Sequence, residues 1–279
     1  MSQRDSLGYT FGVAGVLCVA CSLAVSAAAV ALRPAQEENK LLDRQRNILD
    51  AAGLALGEKG KLAGALSKDD IAKLYERVEE KLVDLQTGEY DSSIDPKKYE
   101  PKDAAKNDAI NHVIKGGKFD IGLQRRESVA RVFLIRNPKT KEIVQVVLPV
   151  YGKGLWSTLY GYLAVKKDLE TVQGLTFYEH LETPCLGGEV DNPGWKAQWV
   201  GLKLFDQEGN PAAEVSKGPA PAGSTHMVDG LSGATITSRG VTNLIGYWTG
   251  PDGYGEYLKK LSVELKQQSK GGSDGGSKG

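Results

Sequence analysis

The stretch Asp229-Gly230-Leu231-Ser232-Gly233-Ala234-Thr235 marks the point where a turn of small residues opens a helix. Downstream of it, apolar residues recur at the i, i+3, i+4, i+7 spacing of a helix: Val241, Leu244, Ile245 and Trp248. Four hydroxyl side chains are therefore expected at or just before the helix N-terminus: Ser232, Thr235, Thr237 and Ser238. Free backbone N–H groups and the positive end of the helix dipole make such a position a natural phosphate site.

The same residues also have a simpler interpretation. Ser, Thr and Asp are favoured helix N-caps, and Asp229-Gly230 is a common turn pair. On this stretch alone, the sequence fits either a phosphate site or plain helix capping. The rest of the chain has to decide between the two.

The composition of the chain is that of a globular protein without a charge bias. Its 279 residues carry 35 basic and 35 acidic side chains, so the formal net charge is zero, and 41% of the residues are hydrophobic. This balance gives no electrostatic reason to expect a nucleic-acid partner. The length allows one large domain or two small ones.

The N-terminal run Tyr9–Leu32 carries no charged residue and is closed by Arg33-Pro34. It exceeds the roughly 20 residues that span a bilayer, and also the apolar core of a signal peptide, about 7–15 residues. We therefore predict an uncleaved membrane anchor, against the alternative of a signal peptide cleaved near Ala27-Ala28-Ala29. The run contains no Asp or Glu that would indicate an ion path, and the spacing of Ala20, Ala24 and Ala28 suits packing against partner subunits.

Charge alone does not fix the orientation of this anchor. Arg4 precedes the apolar run, whereas several basic residues follow it: Arg33, Lys40, Arg44 and Arg46. The positive-inside rule would place the body of the protein in the cytoplasm, but long domains translocate largely regardless of charge.

Cysteine and histidine usage indicates neither a disulfide framework nor a metal site. Cys18 and Cys21 form a C-x-x-C pair inside the apolar run, which could be redox-active but is interpreted as two inert thiols, and Cys185 stands alone. Three scattered histidines lack metal-ligand spacing: His112, His180 and His226.

Residues 36–124 are predicted to be helical at first and irregular later. Apolar residues predict a helix over 36–66, broken at Gly57 and Gly60, and Ser67 is the expected N-cap of a second helix that continues through Leu82 and Val83. The polar stretch 88–124 is expected to form an irregular connection.

From residue 128 onward the pattern changes to strands. Five segments rich in β-branched and aromatic residues predict them: 129–136, 142–150, 159–165, 172–178 and 197–205. The helix after Thr235 follows, then a last helix near 252–267 and a flexible tail of glycine, serine and lysine. The predicted fold class is α+β, with one N-terminal transmembrane helix followed by a mixed α/β domain.

Two glycine-rich loops lie beside the predicted strands, Tyr151–Ser157 and Glu179–Gly188. Glycine lets a backbone approach a flat ligand closely, Trp156 could stack on a ring, and Glu182 and Thr183 could hydrogen-bond to one. The alternative is that both loops only connect strands and that Trp156 is a core residue. Neither loop matches a nucleotide-binding phosphate motif.

Taken together, three segments resemble one family. Gly-Lys-Gly-Leu-Trp-Ser-x-Leu-Tyr-Gly-Tyr from Gly152, Tyr-Glu-His-x-Glu-Thr-Pro-x-Leu-Gly-Gly from Tyr178 and Asp-x-x-Ser-Gly-Ala-Thr from Asp229 follow a single N-terminal span. This order is similar to that of the C subunit of the bacterial sodium-translocating NADH:quinone oxidoreductase. The related Rnf-complex subunit shares the second and third segments, but the first segment and the longer N-terminal region favour the quinone oxidoreductase.

The resemblance implies a flavoprotein with FMN joined to Thr235 through a phosphoester bond. A separate flavin transferase would make that bond from FAD with Mg²⁺, and the flavin would relay electrons between neighbouring subunits. The implied domains are an anchor (1–35), a helical region (36–127), an FMN-binding domain (128–267) and a flexible tail (268–279). The implied cofactor-binding residues are Ser232, Gly233, Ala234, Thr237, Trp156, Ser157, Glu182, Thr183, Leu186 and Gly187.

The resemblance also implies a place in the cell. The chain would be a single-pass protein of the bacterial inner membrane with its soluble domain in the periplasm, where a covalent bond prevents loss of FMN. No catalytic residue or metal ligand is implied, because the chemistry belongs to the flavin. The other functions that the sequence allows are the equivalent Rnf subunit, a non-redox anchored binding module, and a structural assembly subunit.

One residue departs from the family pattern. The family usually has glycine at the position of Cys185. If the backbone there has positive φ, we expect a modest strain at the cysteine. If it does not, the thiol simply lines the flavin pocket.

Overall fold

The structure is a computed structural model that describes residues 7–96 and 98–271. The chain divides into two compact units, one ending at Gln45 and the other beginning at Arg46. The last residues of the predicted tail, 272–279, lie outside the described ranges. Residues 268–271, also assigned to the tail, instead belong to the final helix, which is therefore longer than predicted.

The first unit consists of most of helix α1, Leu7–Ala51. The helix is long and apolar enough to cross a membrane, since 18 consecutive residues within it have a mean hydropathy of 2.4. Its large apolar side chains up to Leu32 are exposed. Arg33-Pro34 closes the uncharged run but not the helix, which continues to Ala51. A proline interrupts only its own turn, and Arg33 pairs with Glu37 across the next turn at 3.0 Å.

Short helices open the second unit. The end of α1 buries Ile48 and Leu49, and Gly53 then turns the chain at φ 65° into α2, Leu54–Lys59. Of the two predicted breaks, the one at Gly57 is wrong, since Gly57 lies inside α2. The one at Gly60 is confirmed, since Gly60 ends α2 with left-handed backbone at φ 65°. A short 3-10 helix, Ala63–Ala65, follows.

Helix α3, Lys68–Tyr75, begins as predicted, because the Ser67 hydroxyl accepts a hydrogen bond from Asp70 N–H at 3.1 Å. Its predicted continuation through Val83 is wrong. Val78–Asp84 forms strand β1, antiparallel to the segment Val129–Ile135. The local spacing fits a helix, but pairing with a distant strand decides the conformation.

The central sheet has the order β1-β4-β5-β6-β7, with every neighbouring pair antiparallel. Four of its strands confirm the sequence prediction: β4 Val129–Arg136, β5 Ile143–Lys153, β6 Thr158–Lys166 and β7 Val172–Glu179. Between β1 and β4 lie α4, Pro101–Ala104, and the paired strands β2, Asn111–Val113, and β3, Arg125–Glu127. The other described residues of the predicted irregular connection form turns and loop, apart from an isolated bridge at Tyr90.

The predicted strand over 197–205 is wrong. Asn192 caps the short helix α5, Pro193–Ala197, and the chain then forms only isolated bridges, such as Thr171 with Lys203. The apolar residues of this stretch are nevertheless core residues, since Trp199 and Leu204 are fully buried. The strand-like sequence pattern arises because these residues are buried, although they do not form a continuous ladder of backbone hydrogen bonds.

The last part of the chain packs onto the sheet. Strands β8, Glu214–Val215, and β9, Met227–Val228, pair in parallel and precede α6, Thr235–Thr249, which lies against β5. Trp248 on α6 donates from Nε1 to Tyr151 O at 2.7 Å. Helix α7, Gly255–Gly271, buries its predicted apolar face: Tyr257, Leu258, Leu261 and Leu265. One apolar N-terminal helix and a mixed domain confirm the α+β prediction.

Candidate functional site

Three segments that are far apart in sequence meet around one buried carboxylate, that of Glu182. They are the β5–β6 loop at Gly154–Ser157, the segment after β7 from His180 to Gly188, and the start of α6. Glu182 is only 5% exposed. The three motifs of the sequence therefore form one site.

Every donor to the Glu182 carboxylate comes from another of these segments. Oε1 accepts hydrogen bonds from Trp156 N–H at 3.0 Å, from Ser157 N–H at 3.2 Å and from the Ser157 hydroxyl at 3.4 Å. Oε2 accepts from Leu155 N–H at 3.2 Å and from the Thr237 hydroxyl at 2.7 Å. Successive backbone N–H groups that converge in this way form an anion-binding nest, and here the anion is a side chain of the protein itself.

These donors keep Glu182 ionised. Burial by itself raises the pKa of the carboxyl group, but the hydrogen bonds from Thr237 and from the loop amides outweigh burial, so the pKa lies below its usual value. The site therefore contains a fixed negative charge at neutral pH.

Glycines allow the carboxylate to fit between the loops. A Cβ at Gly154 would lie 2.6 Å from Glu182 Oε1, and one at Gly187 would lie 2.7 Å from Oε2, so neither position has room for a side chain. On the outer side, Leu186 packs over Gly233. The glycine pattern of both loops therefore has a steric cause at this site.

Thr235 is the first residue of α6 and is exposed. The interpretation of this stretch as plain helix capping is wrong, because the N-cap residue is Ala234 and no side chain in the described ranges caps the helix. The Ser238 hydroxyl instead accepts a hydrogen bond from Leu231 N–H at 3.1 Å, which holds the loop before the helix. Thr235 thus presents a hydroxyl to solvent at an uncapped helix start, where the dipole favours a negative group.

The predicted site residues differ in exposure. Trp156 is 70% exposed, so the alternative that it is a core residue is wrong. The exposed members are Trp156, Thr183, Leu186, Ser232, Gly233 and Thr235, Ser157 is half-buried, and the buried members are Glu182, Gly187, Ala234 and Thr237. Exposed and buried members therefore occur together in the same three segments, and Thr235 is one of the exposed ones.

Sequence reasoning missed two groups that hold these loops. His180 Nδ1 accepts a hydrogen bond from Glu182 N–H at 3.2 Å, and His180 Nε2 lies 2.8 Å from Asp191 Oδ2. Gln198 and Trp195 hold Asp229, the first residue of the third motif. A search for metal-ligand spacing could not find His180, because its role is a hydrogen bond within a loop.

Cys185 has the left-handed backbone that the family's glycine suggests, with φ 61°. The expected strain is therefore present, since side chains other than glycine rarely adopt this conformation. The thiol is exposed.

Comparison with known proteins agrees with this geometry. The model of the FMN-binding domain family matches residues 154–249, a range that includes all three converging segments. The C subunit of the Na(+)-translocating NADH-quinone reductase from Pseudomonas aeruginosa is 46% identical over 94% of this chain and 98% of its own length. The chain belongs to the family of these reductase C subunits, the NqrC family. A second member, from Yersinia pestis, is 42% identical over 93% of this chain and 94% of its own length.

Solved structures of NqrC proteins share the fold. The crystal structure of Shewanella oneidensis NqrC is 34% identical, with a TM-score of 0.72, and the match covers 82% of this chain and 99% of that one. The corresponding protein from Parabacteroides distasonis is 25% identical, with a TM-score of 0.61, covering 81% of this chain and 96% of that one. The resemblance inferred from the three segments is confirmed, and with it membership in a family of oxidoreductase subunits.

Proposed function

We propose that this chain is the flavin-carrying NqrC subunit of a sodium-translocating NADH:quinone oxidoreductase, and that it holds FMN on Thr235 through a phosphoester bond. The observation that supports this most strongly is the place of Thr235. It is an exposed hydroxyl at the uncapped start of α6, beside the point where three distant segments of the FMN-binding domain meet.

The residues present fit an FMN group. A phosphoester on the Thr235 oxygen would lie at the positive end of α6. The exposed side chains of Trp156, Leu186 and Thr183 offer an aromatic surface, an apolar surface and a polar group, which a flat amphipathic ring needs. Ser232 and Gly233 are exposed as well. Of the remaining proposed site residues, Ser157 is half-buried, and the buried ones are Glu182, Gly187, Ala234 and Thr237.

Attachment would be made by a separate flavin transferase using FAD and Mg²⁺. The Thr235 oxygen would attack the phosphorus on the FMN side of FAD, the bond between the two phosphates would break, AMP would leave, and the hydroxyl proton would be released. Thr235 is then a modified residue and not a catalytic one, so the activation of its hydroxyl falls to the transferase.

When bound, FMN supplies electron transfer in one- and two-electron steps. This chain would hold the cofactor, shield one side of the site with its buried loops and leave the other side open towards the neighbouring subunits. We further propose that the chain is a single-pass protein of the bacterial inner membrane, with α1 as its anchor and the FMN-binding domain, 128–267, in the periplasm. The remaining proposed boundaries are those of the anchor, 1–35, and of the region 36–127, which is not purely helical as expected, because it contributes strand β1 to the central sheet.

The test is covalent flavin on the denatured chain. The full-length protein, produced together with a flavin transferase, is expected to give a fluorescent flavin band on a denaturing gel. Thr235→Ala should remove that band, whereas Thr225→Ala, a change at an exposed threonine outside the site, should keep it. Thr235→Ser, which retains a hydroxyl, tests whether the attachment needs the threonine methyl group.

Two results would contradict the proposal. Fluorescence that persists in Thr235→Ala would place the flavin elsewhere. A colourless wild-type chain in the presence of an active transferase would favour a non-redox anchored module.

A further inference from the structure

We propose that Glu182 is the positioning residue of the flavin site. Its carboxyl group joins the 154–157 loop to the start of α6 and thereby presents Thr235 for modification, without itself bonding to the flavin ring. This inference rests on the proposed function, because it assigns a role to Glu182 in the same site. It also revises the sequence-based expectation that Glu182 hydrogen-bonds to a ring.

The first argument is the number of hydrogen bonds that Glu182 already accepts. Three consecutive amides, those of Leu155, Trp156 and Ser157, and the hydroxyls of Ser157 and Thr237 all donate to its two oxygens. A carboxylate has about four favourable acceptor directions, so little capacity remains for a ligand. The Glu182 carboxylate therefore forms its hydrogen bonds within the protein and has little capacity left for a ligand.

The second argument is geometric. Thr237 lies two residues after Thr235 in the first turn of α6, and its side chain is fully buried against Glu182 at 2.7 Å. The other oxygen of the same carboxylate holds the loop that carries the exposed Trp156. The attachment residue and the aromatic side chain are thus placed relative to each other through one acidic group.

The third argument is that the surroundings of Glu182 are built for it. Gly154 and Gly187 leave the space that the carboxylate fills, and His180 accepts a hydrogen bond from the Glu182 backbone N–H. Both the side chain and the backbone of Glu182 are therefore fixed. A residue that served only as loop surface would need neither arrangement.

The variants separate charge, shape and connection. Glu182→Gln keeps the shape of the side chain but removes its charge. It also replaces one acceptor oxygen by an NH2 group, so that the Leu155 N–H faces a second donor and loses its hydrogen bond. Thr237→Val removes only the connection to α6, and Thr237→Ser restores it. Glu189→Gln is the matched control. Glu189 directly follows the 180–188 segment, the substitution removes the same charge, and its side chain accepts a hydrogen bond from Asn192, outside the three converging segments.

The first measurement needs no flavin. In the full-length chain produced without transferase, amide hydrogen exchange across 154–157 should become roughly tenfold faster in Glu182→Gln, since hydrogen bonds to a charged group are lost. Exchange in Glu189→Gln should match that of the wild type. Unchanged exchange at 154–157 in Glu182→Gln would overturn the positioning role, whether or not the chain carries FMN.

The second measurement is the rate of covalent flavin attachment by the transferase, followed over a range of chain concentrations below the melting temperature of every variant. We expect kcat/KM to fall roughly tenfold in Glu182→Gln and Thr237→Val, with near wild-type values in Thr237→Ser and Glu189→Gln. Equal rates in all folded variants would show that Glu182 contributes only to stability and would overturn the proposal. If the wild-type chain accepts no flavin at all, the proposed function fails, while the exchange experiment still decides the role of Glu182.

Discussion

Gln198 and Asp229 hold each other through two hydrogen bonds. The Asp229 N–H donates to Gln198 Oε1 at 2.9 Å, and Gln198 Nε2 donates to Asp229 Oδ2 at 3.0 Å. The other carboxylate oxygen of Asp229 accepts from Ala220 N–H at 2.7 Å, and its carbonyl oxygen accepts from Trp195 Nε1 at 2.8 Å. The first residue of the attachment motif is therefore fixed by groups outside the motif.

We expect Gln198→Ala to slow covalent flavin attachment severalfold. Each lost hydrogen bond contributes about 1 kcal/mol to holding the loop before Thr235. The initial rate of flavin incorporation is the measurement, and Gln207→Ala, at an exposed glutamine in a distant turn, is the control. An unchanged rate in Gln198→Ala would mean that the loop keeps its conformation without this pair.

Trp156 should affect the flavin and not the stability of the fold. Because it is 70% exposed, Trp156→Ala should change the free energy of unfolding by less than about 0.5 kcal/mol. Trp199→Ala, at a fully buried tryptophan, should cost about 3–5 kcal/mol. Denaturant titration gives both values, and the absorption spectrum of bound flavin should shift only in Trp156→Ala. A flavin spectrum identical to that of the wild type would show that this loop does not border the ring.

Backbone strain at Cys185 can be tested by comparing the stability of two variants, Cys185→Gly and Cys185→Ala. Replacement by alanine usually gives a more stable protein than replacement by glycine, because glycine increases the entropy of the unfolded chain. At φ 61° we expect the reverse order, with Cys185→Gly more stable than Cys185→Ala by about 1 kcal/mol. Chemical denaturation of the two variants decides this. The usual order would indicate that residue 185 does not have left-handed backbone in solution.

Glu127 should make stability fall with rising pH. Burial raises its pKa from an ordinary value of 4.5 to about 7, although the Tyr151 hydroxyl and Arg126 lower it. Between these two values the folded chain keeps a proton that the unfolded chain has released, so the free energy of unfolding decreases as pH rises and levels off above about pH 7. The side chain of the Glu127→Gln variant cannot ionise. As pH rises from 4.5 to about 7, the free energy of unfolding of this variant should therefore increase relative to that of the wild type by up to about 3 kcal/mol.

Melting experiments over this pH range check the Glu127 prediction, with Glu208→Gln at an exposed turn as the control. A constant difference between Glu127→Gln and the wild type at all pH values would contradict it.

The orientation of the chain in the membrane can be tested with a reporter fused after Gly279. We expect activity from alkaline phosphatase, which folds only outside the cytoplasm, and none from a cytoplasmic reporter at the same position. The expectation follows from the proposed function and opposes the basic residues that follow the apolar run. Activity of the cytoplasmic reporter alone would place the domain, and any flavin on it, inside the cell.

The sequence alone determined the elements whose signals are local. The uncharged run Tyr9–Leu32, strands β4 to β7 and the start of α6 at Thr235 could all be predicted from composition, alternation and helical spacing. The three motifs also identified the family correctly. Each of these features depends on residues that are near one another in the chain.

Only the tertiary structure decided the features that depend on distant partners. Val78–Asp84 is a strand because Val129–Ile135 offers it a free edge. Residues 197–205 form no strand, because their pairing with the start of β7 is limited to the isolated bridge between Thr171 and Lys203 and a few hydrogen bonds beside it. Likewise, the sequence could name Glu182 but not its role. Whether a carboxylate bonds to a ligand or to the protein depends on which donors surround it. The donors around Glu182 come from Leu155–Ser157 and from Thr237, which lies 55 residues after Glu182 in the chain.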